Sequence, residues 1–125
     1  MNQEFPSFGA YTDYGKLNAV IVGSADGLAL PPFNPTLHHY NDEVQAALKA
    51  CGEQPLDVRE AMPERWEKTA EQLDNLAALY EANGVRVFRP RSYTTEERRY
   101  LADLQPGASL LYPADPVYTV GKHYI

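Results

Sequence analysis

At 125 residues the chain has the length of one domain and enough material to bury a core without covalent staples. It carries 17 Asp and Glu against 11 Lys and Arg, a net charge of -6 and an isoelectric point of about 4.9, which disfavours nucleic-acid recognition through a basic surface. The single cysteine, Cys51, excludes an internal disulfide and suits a reducing compartment; with no run near ~18 apolar residues and no basic and apolar signal region at the start, no membrane association is expected and the default location is the cytoplasm.

Residues 1–14 are polar and aromatic, with Pro6 and Gly9, and read as an irregular arm. Residues 17–22 form the first strand, ended by Gly23; its consecutive apolar residues Val20, Ile21 and Val22 predict burial on both faces. Residues 24–27 turn away. Residues 28–40 carry Pro31, Pro32 and Pro35, a density that excludes a helix or a central strand. His38 and His39 sit side by side at its end. No cysteine or third histidine stands at zinc-ligand spacing, so a metal site is not expected there.

Asn41 or Asp42 can cap a helix that runs to Cys51, with Gly52 just past its end. Val44, Ala47, Leu48 and Cys51 share one face, which makes Cys51 a half-buried cysteine at a helix end rather than a nucleophile. Residues 54–62 read as a connector. Pro63 stands where the first turn of a helix tolerates proline, and residues 64–83 form the longest helix. Its apolar face is Trp66, Ala70, Leu73, Leu76, Ala77 and Tyr80. Asn83 and Gly84 end it in a left-handed conformation, and residues 85–88 follow as a strand that Pro90 stops. A strand, a long helix and a second strand make one α/β unit.

Thr94 or Thr95, followed by Glu96 and Glu97, can open a further short helix. Arg86, Arg89, Arg91, Arg98 and Arg99 form a local basic cluster within an acidic chain. Near the end, Asp115 is held between Pro113 and Pro116. Residues 117–120 form a strand, Gly121 and Lys122 turn the chain, and residues 123–125 begin a second strand. The prolines make this a stiff loop suited to presenting a carboxylate to a ligand. The same residues also fit a plain Asp-Pro turn ahead of a surface hairpin.

The run Tyr14-Gly-Lys-Leu-Asn-Ala-Val-Ile-Val-Gly23, then Pro31-Pro-Phe33, then the long helix closing as Glu81-Ala-Asn-Gly-Val-Arg-Val-Phe-Arg-Pro90, then Tyr112-Pro-Ala-Asp-Pro-Val-Tyr-Thr-Val-Gly-Lys-His-Tyr-Ile125, resembles in that order the amino-terminal part of the amidinotransferases. That family includes the glycine and inosamine-phosphate amidinotransferases. The resemblance implies an α/β fold of the pentein (α/β-propeller) type, with one ββαβ module here and the start of a second. It implies transfer of an amidino group from arginine to an amine acceptor through a covalent amidino-cysteine, with no cofactor and no metal. A thiolate divides one hard transfer into two easier ones, and carboxylates match the planar, forked guanidinium cation.

Asp115 matches the family aspartate that contacts the substrate guanidinium. The family's arginine position is Ala114, and Pro116 follows the aspartate. The family's catalytic histidine and cysteine fall beyond the matched motifs; Cys51, His38, His39 and His123 do not match them. The remainder of the enzyme, or further copies of the chain, is expected to close the ring, because an open module leaves sheet edges exposed. Two other expectations stand beside the transferase. One is a free-standing, non-catalytic domain for guanidino-ligand binding or assembly. The other is a guanidine hydrolase or deiminase, with water as acceptor.

Overall fold

The computed structural model describes residues 14–37, 39–104, 110–111, 119–120 and 123–124. Over these residues the chain is a small mixed α/β fold with short sheets. The strand β1 (Ala19–Ile21) pairs in parallel with β4 (Arg86–Phe88), in the register Ala19 to Arg86, Val20 to Val87 and Ile21 to Phe88. Between them lie β2 (Ala29–Leu30), a 3-10 turn (Pro35–Leu37), α1 (Asp42–Cys51), β3 (Leu56–Asp57), α2 (Val58–Ala61) and α3 (Pro63–Ala82). After β4 come α4 (Thr95–Leu104) and the antiparallel pair β5 (Thr119–Val120) and β6 (His123–Tyr124).

Local chemistry accounts for the helices. Asn41 caps α1: its Oδ1 accepts from the Val44 amide at 3.0 Å, with Asp42 and Glu43 in the first turn where the helix dipole favours them. Gly52 closes α1 with φ 65. Pro63 opens α3 at a position that needs no intrahelical N–H donor, and the Asn83 side chain donates to the Leu79 carbonyl at 2.8 Å at the other end. The left-handed turn falls on Gly84 alone, with φ 76; Asn83 has φ -97 and is not left-handed as expected.

The core lies beside α1. Leu28, Val44, Leu48, Leu56, Val58 and Met62 are buried together, with Phe33, Tyr40, Cys51, Trp66 and Leu111 packed against them. Three of these six, Leu56, Val58 and Met62, come from residues 54–62, which are therefore not a mere connector. That segment holds β3, antiparallel to β2, and the short helix α2, whose cap is Asp57 accepting from the Arg59 and Glu60 amides at 2.8 and 3.2 Å. The proline-rich loop likewise holds β2 and the 3-10 turn. Among the described residues its strand has a single partner, which is the edge setting that such a segment tolerates.

Burial of β1 on both faces does not hold. Ile21 is 48% exposed, because among the described residues the β1–β4 sheet has two strands and leaves part of the strand uncovered. The strand's most buried neighbours are Val22 and Ala25, just beyond it. On α3, Ala77 is buried and Trp66, Ala70, Leu73 and Tyr80 are half-buried, whereas Leu76 is 40% exposed. Among the described residues no helix is long and apolar enough to cross a membrane.

Candidate functional site

The loop that leaves β1, residues 23–27, is met by several distant chain segments. The Val22 amide donates to the Phe88 carbonyl at 2.9 Å, which extends the pairing with β4. The Ser24 amide donates to the Leu110 carbonyl, also at 2.9 Å. Trp66 of α3 donates its Nε1–H to the Ala25 carbonyl at 2.7 Å, and Arg59 of α2 stacks over the same indole, 4.6 Å from the ring centroid. Arg98 of α4 donates to Oδ2 of Asp26 at 2.8 Å. The end of a parallel strand thus receives contacts from α3, α4 and the segment at 110–111. In open α/β sheets, ligands sit outside such carboxyl-terminal strand ends.

Electrostatics single out Asp26 in this loop. A hydrogen bond from the Ser92 side chain holds its carboxyl below the ordinary range of 3.8; partial burial opposes this, and the Arg98 charge adds to it. Asp26 is therefore a paired anion, with its side chain 25% exposed. Sequence reasoning treated residues 24–27 as a turn and Arg98 as one of several surface cations. Nothing local signals that the two residues meet.

The Asp115 loop, residues 112–118, lies outside the described residues, as do His38 and Ala114. The described residues that precede Asp115 in the chain are Leu110 and Leu111, and these meet the β1 loop. His39 lies against Tyr40, ring centroids 4.5 Å apart. His123 is paired with Val120 through the β5–β6 ladder. Cys51 is half-buried against the core, far in character from the electropositive, accessible setting of a reactive thiolate. Among the described residues no cluster of three or more His, Cys, Asp or Glu could hold a metal ion.

An open groove of 630 Å³ runs along the start of α3, between Glu43, Met62, Glu64, Arg65, Lys68 and Gln72. Arg65 and Glu43 meet across it at 3.4 Å, both well exposed, so the pair is worth at most about 1 kcal/mol. None of its lining residues belongs to the β1 loop or to the runs 14–23, 31–33, 81–90 and 112–125 quoted for the resemblance. Two further arginines are engaged on the surface: Arg89 with Asp74 at 2.9 Å, and Arg91 with Glu97. Three of the five arginines in the basic cluster, Arg89, Arg91 and Arg98, are thus paired with carboxylates.

No protein family, curated protein or solved structure matches the chain.

Proposed function

We propose that the chain is an amidinotransferase-like protein of the pentein type and that it supplies the guanidinium-binding part of the site through Asp115. The observation that carries this is the order of the sequence motifs, with an aspartate set just ahead of a strand-Gly-strand hairpin. Two features of the fold support it. The antiparallel pairing of β5 with β6, in the register Thr119 to Tyr124 and Val120 to His123, is in keeping with the strand-Gly-strand motif. The parallel pairing of β1 with β4, with α3 falling between them in the chain, is in keeping with the helix motif.

On this function arginine is the donor, and its planar cation is matched by a carboxylate in charge and geometry. The nucleophilic cysteine and the proton-shuttling histidine come from further residues or a companion chain, since Cys51 and the histidines named above match neither. The acceptor amine is set by contacts outside this chain's motifs.

The test is incubation of the protein, as isolated from its source, with arginine carrying a labelled guanidino carbon and a panel of amines. Ornithine together with a labelled amidino product is the expected result. Citrulline would move the protein to the guanidine hydrolases. Neither product, with no heat of arginine binding by calorimetry, would overturn the function.

A second function, a non-catalytic domain for ligand binding or assembly, is favoured by one observation. Ile21 of β1, Leu79 of α3 and Tyr100 of α4 are 48%, 60% and 64% exposed, and among the described residues each sheet has two strands. Self-association in light scattering, without arginine turnover, would select it.

A further inference from the structure

A chain of hydrogen bonds links α4 to the segment at 110–111 through the β1 loop. Nη2 of Arg98 donates to Oδ2 of Asp26 at 2.8 Å. The Asp26 amide donates to Oγ of Ser24 at 3.1 Å. The Ser24 amide donates to the Leu110 carbonyl at 2.9 Å. Arg98 is itself held by a bond from its Nε to the Tyr93 carbonyl at 3.3 Å, and its Nη1 would lie 3.2 Å from a Cβ placed on Gly27. On the neighbouring residue of the loop, Gly23 is covered by the Leu111 carbonyl.

We propose that Arg98 is a positioning residue: through Asp26 and Ser24 it seats Leu110 and Leu111 on the loop that leaves β1. The pair joins residues 72 apart in sequence and ties α4 to the loop on which the next described residues after α4 are bonded. An ordinary exposed ion pair would be worth almost nothing. This one differs in two ways. The carboxylate is three-quarters covered, and the amide beside it is engaged in the same turn that presents Ser24 to Leu110. Removing the guanidinium leaves a largely covered carboxylate with one fewer donor, and the serine turn in which Ser24 Oγ accepts from the Asp26 amide loses its anchor. The consequence for ligand binding rests on the proposed function, because Leu110 and Leu111 lead in sequence to Asp115.

The test is amide hydrogen exchange on the full chain, comparing the wild type with Arg98→Ala, Asp26→Asn and Arg98→Lys. Arg98→Ala and Asp26→Asn are expected to speed exchange of the Ser24 amide by about tenfold, as a local opening does, while the Val22 and Val44 amides stay unchanged. Arg98→Lys, which keeps the charge, is expected to recover part of the protection. Unchanged Ser24 exchange in Arg98→Ala overturns the proposal. So does an equal acceleration at Val22 and Val44, which would mean general destabilisation. Arginine calorimetry on the same variants separates the seating from the function. Loss of Ser24 protection with arginine affinity weakened and then rescued by Arg98→Lys supports both. Loss of protection with arginine affinity intact supports the seating and overturns its consequence for ligand binding. A wild type that binds no arginine overturns the proposed function and leaves the seating to be judged by exchange alone.

Discussion

The carbonyl oxygen of Leu111 stands where a Cβ on Gly23 would be. Gly23 is buried at the end of β1, and the carbonyls of both Leu110 and Leu111 close over it. Backbone against backbone leaves no flexible side chain to give way. Gly23→Ala must therefore push the 110–111 segment off the loop and break the bond from Ser24 to Leu110. The expected loss of stability is about 1–3 kcal/mol, the usual range for overpacking, read as a lower urea midpoint. A midpoint equal to wild type would mean that the two segments are not in contact in solution.

Leu48 and Leu79 are both helical leucines with opposite surroundings. Leu48 is 0% exposed at the centre of the core, and Leu79 is 60% exposed on α3. Leu48→Ala is expected to cost about 2–5 kcal/mol through lost transfer energy and a cavity. Leu79→Ala is expected to change stability by no more than about 0.5 kcal/mol. Urea titration of the two variants checks both. A large cost at Leu79 would reveal that a partner covers it under the conditions of the assay.

Thr94 and Glu97 cap α4 reciprocally. The Thr94 amide donates to Oε2 of Glu97 at 2.8 Å, and the Glu97 amide donates to Oγ1 of Thr94 at 3.2 Å. Arg91 adds two bonds to the same carboxylate, at 2.6 and 2.8 Å. These donors, Arg91 first and the Thr94 amide second, hold the Glu97 carboxyl down from its ordinary 4.5 to about 2. A depressed folded pKa stabilises the fold fully above the ordinary value and loses that contribution as pH falls from 4.5 towards 2. Carboxyl NMR is expected to show Glu97 titrating at the bottom of that window, and Arg91→Ala is expected to raise its midpoint. A Glu97 midpoint at the ordinary value in the wild type would dismiss the capping box.

Asp115→Asn tests the residue that the proposed function depends on. Removing one charge-assisted contact to a buried cation is expected to cost on the order of 2–5 kcal/mol in arginine affinity or in kcat/KM. Calorimetry with arginine, or ornithine formation in the assembled enzyme, reads the change. Arginine handling equal to wild type removes Asp115 from the site.

The sequence by itself determined the elements whose causes are local. Asn41, the face through Val44 and Leu48, and Gly52 define α1 because a cap, a 3.6-residue period and a left-handed glycine all act within a few residues. Pro63 and the Asn83-Gly84 stop bound α3 for the same reason, and Gly121-Lys122 between two short β-rich runs foretells the ladder from Thr119 to Tyr124. Asp115 stands out locally through the flanking Pro113 and Pro116, whereas its role rests on the motif resemblance. Only the tertiary structure decided the rest. Two-residue strands leave no period to read, so the pairing of β2 with β3 and the burial of Leu56, Val58 and Met62 follow from what α1 packs against. The exposure of Ile21 depends on how many strands flank β1. Asp26 and Arg98 look like a turn residue and a surface cation until the chain brings them to 2.8 Å. Hydrogen-bond caps and backbone dihedrals are written in neighbouring residues, whereas strand pairing and long-range ion pairs depend on which distant segments the core draws together.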